Sequence, residues 1–267
     1  MDKLLSRSGW FWSSIHLPRR NTNIPTNASP SHNHHTKLVR SGVWASFFSH
    51  IVVYLFRSLV TYRTLTDIKL EDIHSLRTAL TILHTTYNVQ NVVISSIPLK
   101  PWLTAILPNT VRAQITPAFS EYLLCISSTK TPQNSIVHTC AVPCLPGYFS
   151  GVGDLFSALV LAHFDHTQQH PPPMTALSVA ATLALTKTHS ILTLTHTCAL
   201  ALPSEDRTIT DDDLDLQDPS RKIRRMRGRE LRLVQGQEIL RKGYNDKFDL
   251  LRKMELWQEF WELPLTQ

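Results

Sequence analysis

Apolar positions recur along this chain with periods that change from segment to segment. Ile73, Leu76, Leu80 and Leu83 return at spacings of three and four, which predicts an amphipathic helix entered through Thr-Asp-Ile-Lys-Leu-Glu-Asp (66–72). Residues 89–97, Val-Gln-Asn-Val-Val-Ile-Ser-Ser-Ile, read as a short buried strand ended by Pro98. Residues 119–128 and 135–142 predict two further strands, with 129–134, containing Pro132, as the turn between them. An apolar run with no glycine or proline, 155–164, predicts a helix, and a second apolar helix rich in Ala, Leu and Thr is predicted from about 174 to 194. The tail, 246–267, carries Trp257, Phe260 and Trp261 and reads as one amphipathic helix. A helix leading into a β-branched strand is half of a βαβ unit, so the pattern predicts an α/β domain with ligands at strand C-terminal ends.

The first 63 residues follow no such pattern. Residues 1–41 are rich in Asn, Ser, Thr, His and Pro, and are predicted to be disordered. Residues 42–56 are apolar between Arg40 and Arg57, but 15 residues fall short of the roughly 20 that a membrane span needs. A buried helix, a strand pair or an anchor all fit that run.

The net charge of +6 belongs to the same leader. Residues 1–60 hold seven Lys or Arg and one acid, Asp2, leaving 20 basic and 20 acidic groups in the remaining 207 residues. The domain is therefore not read as a nucleic-acid binder. Cys125, Cys140, Cys144 and Cys198 form no CxxC pair, which argues against zinc and against a disulfide framework. His163, Asp165, His166 and His170 cluster before three prolines, and are read as a solvated helix end rather than a metal site; no metal ligand is assigned. The acidic run at 211–215 and the basic run at 221–232 are read as a solvated loop pair. The Thr-His-Thr pieces around His189 and His196 have no partners that suggest catalysis.

Candidate chemistry concentrates in one stretch. Only 8 glycines occur in 267 residues, yet three of them, Gly147, Gly151 and Gly153, fall within 147–153. Glycines at 151 and 153 permit positive φ and a close ligand approach. The helix that follows offers unpaired backbone N–H groups and a positive dipole end, an anion site suited to phosphate. Asp154 within it is placed to accept a proton from a hydroxyl. An ordinary turn with an Asp near the helix start accounts equally well for these residues on chemistry alone.

The string Gly-Tyr-Phe-Ser-Gly-Val-Gly-Asp-Leu-Phe-Ser-Ala (147–158) resembles the Gly-X-Gly-Asp signature of ribokinase-like kinases, and most of all that of fungal pyridoxal kinases. Leu-His-Thr-Thr-Tyr-Asn-Val-Gln-Asn-Val-Val-Ile-Ser-Ser (83–96) is similar to their phosphate-contacting segment, and Arg-Glu-Leu-Arg-Leu-Val-Gln (229–235) to their last strand. The resemblance implies a partial ribokinase-like fold, a mostly parallel sheet flanked by helices. It implies ATP-dependent phosphorylation of the 5′-hydroxyl of pyridoxal, pyridoxine or pyridoxamine, with Mg2+ and K+ as accompanying ions. On that reading Asp154 is the catalytic base, and Gly151, Val152 and Gly153 form the anion hole. Ser95, Ser96, Leu145, Gly147 and Phe149 contact the nucleotide. A homodimer without nucleic-acid or membrane partners is implied, and a cytoplasmic location; the Arg- and Ser-containing, acid-poor leader keeps a mitochondrial one as the alternative.

The resemblance covers about residues 65–240 and divides the chain into a leader, 1–63, a C-terminal part of a kinase domain, 64–245, and the tail helix, 246–267. The family's N-terminal half, which holds the vitamin-binding residues, is expected to have no counterpart in these residues. Its Pro-Asn-x-Phe-Glu type motif is expected just before residue 65, where the chain reads Leu-Val-Thr-Tyr-Arg-Thr. The first 63 residues are accordingly expected to be a foreign or mistranslated leader, as a gene-model error such as a retained intron would produce. A catalytically inactive, nucleotide-binding remnant of the same fold is the alternative function.

Overall fold

The computed structural model describes residues 44–48, 51–56, 66–147, 149–204, 216–242 and 252–262. The predicted disorder of 1–41 lies outside the described residues.

Six strands form one sheet in chain order: β1 (Trp44–Phe48), β2 (Ile51–Phe56), β3 (Asn91–Pro98), β4 (Tyr122–Lys130), β5 (Ser135–Pro143) and β6 (Glu255–Leu256). Of the three alternatives for 42–56, the strand pair is the one observed, and β2 carries it into the sheet beside β3. The predicted boundary at 63 therefore does not separate the sheet from the leader.

The sheet is mixed rather than mostly parallel. Only β2 and β3 run parallel; the other four neighbouring pairs are antiparallel. Connections explain this. A parallel neighbour needs a crossover, and α1 (Ile73–Thr85) provides one between β2 and β3. Between β4 and β5 only residues 131–134 are available, closed by Thr131 N–H donating to the Asn134 carbonyl at 2.8 Å, and such a turn permits only a hairpin.

Both faces of β3, β4 and β5 are covered. Alternation sends Val92 and Ile94, Leu124 and Ile126, and Val137 and Ala141 toward α1, α2 (Pro101–Ile106) and α3 (Asn109–Arg112), where Leu76, Leu80 and Leu83 meet them. The opposite parity, Val93, Cys125 and Cys140, faces α4 (Val152–His163) and α5 (Ala176–Leu200) through Phe156, Val160, Ala180 and Ala184. That double coverage is why the strands read as continuous apolar runs. α5 is long and apolar enough to cross a membrane, but 78% of its apolar window is buried within the protein, as a core helix is.

The helix starts follow their caps. Asp72 and Ser75 form a capping box on α1, and Thr175 and Ser178 another on α5. Two short helices follow, α6 (Pro219–Arg227) and α7 (Gln237–Arg241). α6 replaces the solvated loop expected for the basic run, with Asp218 capping its first turn and pairing with Arg224. The segment 229–235, expected as a last strand, makes only an isolated bridge, Glu230 with Ser150. The tail corrects its own expectation as well. Its described part, 252–262, is the two-residue strand β6 followed by turns, because Trp257 and Phe260 are buried against the α1 face instead of lying along a helix.

Candidate active site

The expected anion-binding turn begins α4. Gly151 is its N-cap, with φ +82°, ψ 5° and no side chain to cap with, so the first-turn N–H groups lack the cap that α1 and α5 have. Gly147 also has positive φ, at +109°, whereas Gly153 lies inside the helix and needs none. Ser150 N–H donates to the Arg229 carbonyl at 3.0 Å, tying the turn to the 229–230 segment. Asp154 sits exposed in the first turn, beside the positive dipole end.

Ser95 and Ser96 reach the same place by an irregularity. Ile94 pairs with Ile126 and Ile97 with Leu124, so two residues on β3 oppose one on β4. In a regular strand consecutive side chains point to opposite faces. The bulge lets both serines line one cavity, with their hydroxyls 3.3 Å apart. That cavity, about 50 Å³, lies between the end of β3, the first turn of α4 and the middle of α5. It is partly open to solvent and takes one small group, with any larger ligand extending beyond it. Val152 and Gly153 form its α4 wall, and Phe156, Leu185 and Leu192 make it largely apolar.

Of the predicted site residues, Ser95, Ser96, Val152 and Gly153 come together at the cavity. Gly151 and Asp154 flank them at the helix start. Leu145, Gly147 and Phe149 do not line it. They lie in the loop leading to α4, where the Phe149 ring meets His196 edge-on at 6.3 Å.

Thr188, which sequence reasoning did not single out, and His189, which it set aside as having no catalytic partner, also line the cavity. Burial pushes the His189 imidazole down to about 4, with the Arg252 guanidinium adding to the effect, so His189 is neutral near pH 7. Nearby, buried Lys187 turns away to donate to the Leu240 carbonyl at 2.7 Å and meet His163 Nε2 at 2.9 Å, which takes His163 out of the predicted helix-end cluster. Among the described residues, no three His, Cys, Asp or Glu side chains gather where they could hold a metal ion.

Comparison with known proteins gives this arrangement a context. No protein-family model matches the chain. A Schizosaccharomyces pombe protein, whose name carries a provisional assignment as a pyridoxal kinase, is 28% identical over 188 residues, covering 66% of this chain and 47% of that protein. The chain is similar to pyridoxal kinases. It spans about half the length of the curated relative it matches. Among solved structures, the Leishmania donovani pyridoxal kinase in complex with ADP and pyridoxamine is 18% identical, with a TM-score of 0.46, over 76% of this chain and 49% of that one. Pyridoxal kinase from Trypanosoma brucei gives 18% identity and a TM-score of 0.43, over 77% and 51%.

Proposed function

We propose that this chain carries the phosphoryl-transfer part of a pyridoxal kinase. The reaction is transfer of the γ-phosphoryl group of ATP to the 5′-hydroxyl of pyridoxal, pyridoxine or pyridoxamine. The observation that carries the reading is the convergence of an uncapped helix start, a carboxylate in its first turn and two serines re-aimed by a bulge. Each part has a chemical task. Asp154 accepts the proton of the attacking hydroxyl as its oxygen bonds to phosphorus and the bond to the ADP oxygen breaks. The α4 N–H groups at Gly151, Val152 and Gly153 hold the charge on the transferring group. Ser95 and Ser96 donate to nucleotide phosphate, and Leu145, Gly147 and Phe149 border the nucleotide on the loop side.

The uncapped amides and serine hydroxyls fit a phosphoryl group. Mg2+ would enter with the nucleotide and neutralise charge on its phosphates, and no step is assigned to it. K+ and a homodimer belong to the same reading.

The test is pyridoxal phosphorylation by the purified full chain with MgATP, beside Asp154→Asn. The wild-type chain is expected to turn over, and the variant to lose about 10²–10⁴-fold in rate, as removal of a general base does. Nucleotide binding without turnover in the wild-type chain would replace this reading with that of a non-catalytic remnant. Turnover undiminished in Asp154→Asn would refute the role given to that carboxylate.

A further inference from the structure

The segment after α6 meets the glycine turn from outside the cavity. Ser150 N–H donates to the Arg229 carbonyl at 3.0 Å, and Ser150 and Glu230 form a parallel bridge. The next residue, Leu231, stands over Gly151, with its Cδ1 3.9 Å from where a Cβ there would lie. Gly151 brings no side chain to cap the α4 amides, so their direction depends on what the turn is fastened to. Residues 229–231 are one side of that fastening.

α5 holds those residues in turn. Arg232 N–H donates to Thr195 Oγ1 at 3.0 Å, and the same hydroxyl donates to the Ile191 carbonyl at 2.7 Å. Thr195 is fully buried, and its hydroxyl both gives and accepts a bond. Ser190, Thr193 and Thr197 also donate one turn back, a bond that stays within the helix. At Thr195 the second bond reaches a different segment. Gly236 N–H then donates to the Arg232 carbonyl at 2.9 Å, and a Cβ at Gly236 would collide with Ile191 Cδ1, so the chain lies flush on the same turns of α5. Thr182 has the matching arrangement about 20 Å along the helix. It donates to the Ser178 carbonyl at 2.8 Å and accepts from Met254 N–H at 3.1 Å, beside β6. Neither threonine lines the cavity.

We propose that Thr195 is a positioning residue for the glycine turn, holding it through residues 229–232. The path is continuous. The Thr195 hydroxyl fixes the Arg232 amide, the chain carries that position back to the Arg229 carbonyl, and the Ser150 amide is held there. Without the hydroxyl the Arg232 amide loses its partner, and the segment that fastens the turn gains freedom. The catalytic consequence rests on the function proposed above; the positioning does not. Amides that hold charge on a transferring group act in the transition state, so loosening them lowers kcat and leaves KM for pyridoxal unchanged.

The experiment compares Thr195→Val, Thr195→Ser and Thr182→Val in the full chain by thermal melting, by amide hydrogen exchange read with NMR, and by pyridoxal phosphorylation with MgATP. The two valine variants lose the same pair of bonds and are expected to melt at similar temperatures. In Thr195→Val the amide of Ser150, and that of Leu155, which donates to the Gly151 carbonyl at 3.0 Å, are expected to exchange about tenfold faster. In Thr182→Val the Met254 amide is expected to change instead. Thr195→Ser keeps the hydroxyl and is expected to stay near wild type. For phosphorylation, kcat is expected to fall about tenfold or more in Thr195→Val at an unchanged KM for pyridoxal, and to hold in Thr182→Val. Wild-type exchange at Ser150 and Leu155 in Thr195→Val would overturn the proposal. So would equal acceleration there in Thr182→Val, which is a loss of global stability, or in Thr195→Ser, which clears the hydroxyl of the role. A loosened turn with unchanged kcat would overturn the catalytic consequence. If the wild-type chain does not phosphorylate pyridoxal, the exchange rates still decide the positioning, and the kinase reading alone falls.

Discussion

Gly151→Ala separates backbone strain from packing at the start of α4. The φ of +82° lies in the left-handed region, where an L side chain costs about 1–2 kcal/mol. Packing adds nothing, because a Cβ at that position would meet only Leu231 Cδ1, at an ordinary 3.9 Å. Alanine also stiffens the unfolded chain, which returns about 0.4–1 kcal/mol. The net expectation is a loss of about 1 kcal/mol, or about 2–4 °C in melting temperature for a domain of this size. Asparagine tolerates the left-handed region better than alanine, so Gly151→Asn should recover part of the loss. Urea denaturation of the three proteins measures this directly. An alanine variant as stable as wild type, or an asparagine variant less stable than the alanine one, would refute the assigned conformation and with it the geometry of the candidate anion hole.

At Gly236 the limit is space. An added Cβ would lie 2.2 Å from Ile191 Cδ1 and 3.0 Å from the Arg232 carbonyl oxygen. Gly236→Ala should therefore cost about 1–3 kcal/mol, and Ile191→Val, which deletes that Cδ1, should offset part of it; additive effects in a double-mutant cycle would exclude the clash. Burial holds His138 and His189 neutral by lowering both to about 4 from an ordinary 6.5. The unfolded chain thus binds more protons, and stability falls as pH drops from 6.5 to about 4, by at most ~3 kcal/mol for each histidine. Replacing His138 with Asn should flatten that part of the pH–stability curve measured by denaturation, and an unchanged slope would exclude the group. Burial raises the Cys125 thiol well above its ordinary range and pushes Cys140 up to about 12. Mass spectrometry after brief iodoacetamide treatment of the folded chain should find Cys144 and Cys198, both half-buried, labelled first.

Much of this architecture is legible from period and punctuation. Ile73, Leu76, Leu80 and Leu83 lie on one helix face, and the 131–134 gap demands a hairpin. The expectation of a mostly parallel sheet came from the family resemblance and stood beside that hairpin without being reconciled with it. The bulge had a signal as well. Two serines interrupt the apolar run between Ile94 and Ile97, on a strand otherwise buried on both faces. The tail misled because Trp257, Phe260 and Trp261 have helical spacing, yet their rings stack edge-to-face in turns, at 5.0 and 4.9 Å. Thr188 and His189 were hidden for a different reason. α5 is buried nearly all round, so no polar face stands out, and polarity matters there only where a cavity meets the helix.

The two cores of the sheet make one further expectation sharp. The cavity between β3, α4 and α5 is walled by Phe156 and Leu185 from the α4–α5 core, while Ile73 belongs to the α1 core across the sheet. Ile73→Val and Phe156→Leu should each cost about 1 kcal/mol, since both residues are at least nine-tenths buried and each change is small. Equal stability costs should nevertheless separate in binding. Phe156→Leu opens the apolar wall, admits water beside the donors and weakens each hydrogen bond that a dry site strengthens. Ile73→Val touches nothing at the cavity. Phosphate affinity should therefore fall in Phe156→Leu and stay at the wild-type value in Ile73→Val. Equal loss in both would mean that binding follows global stability rather than the cavity, and that the sheet does not insulate its two faces.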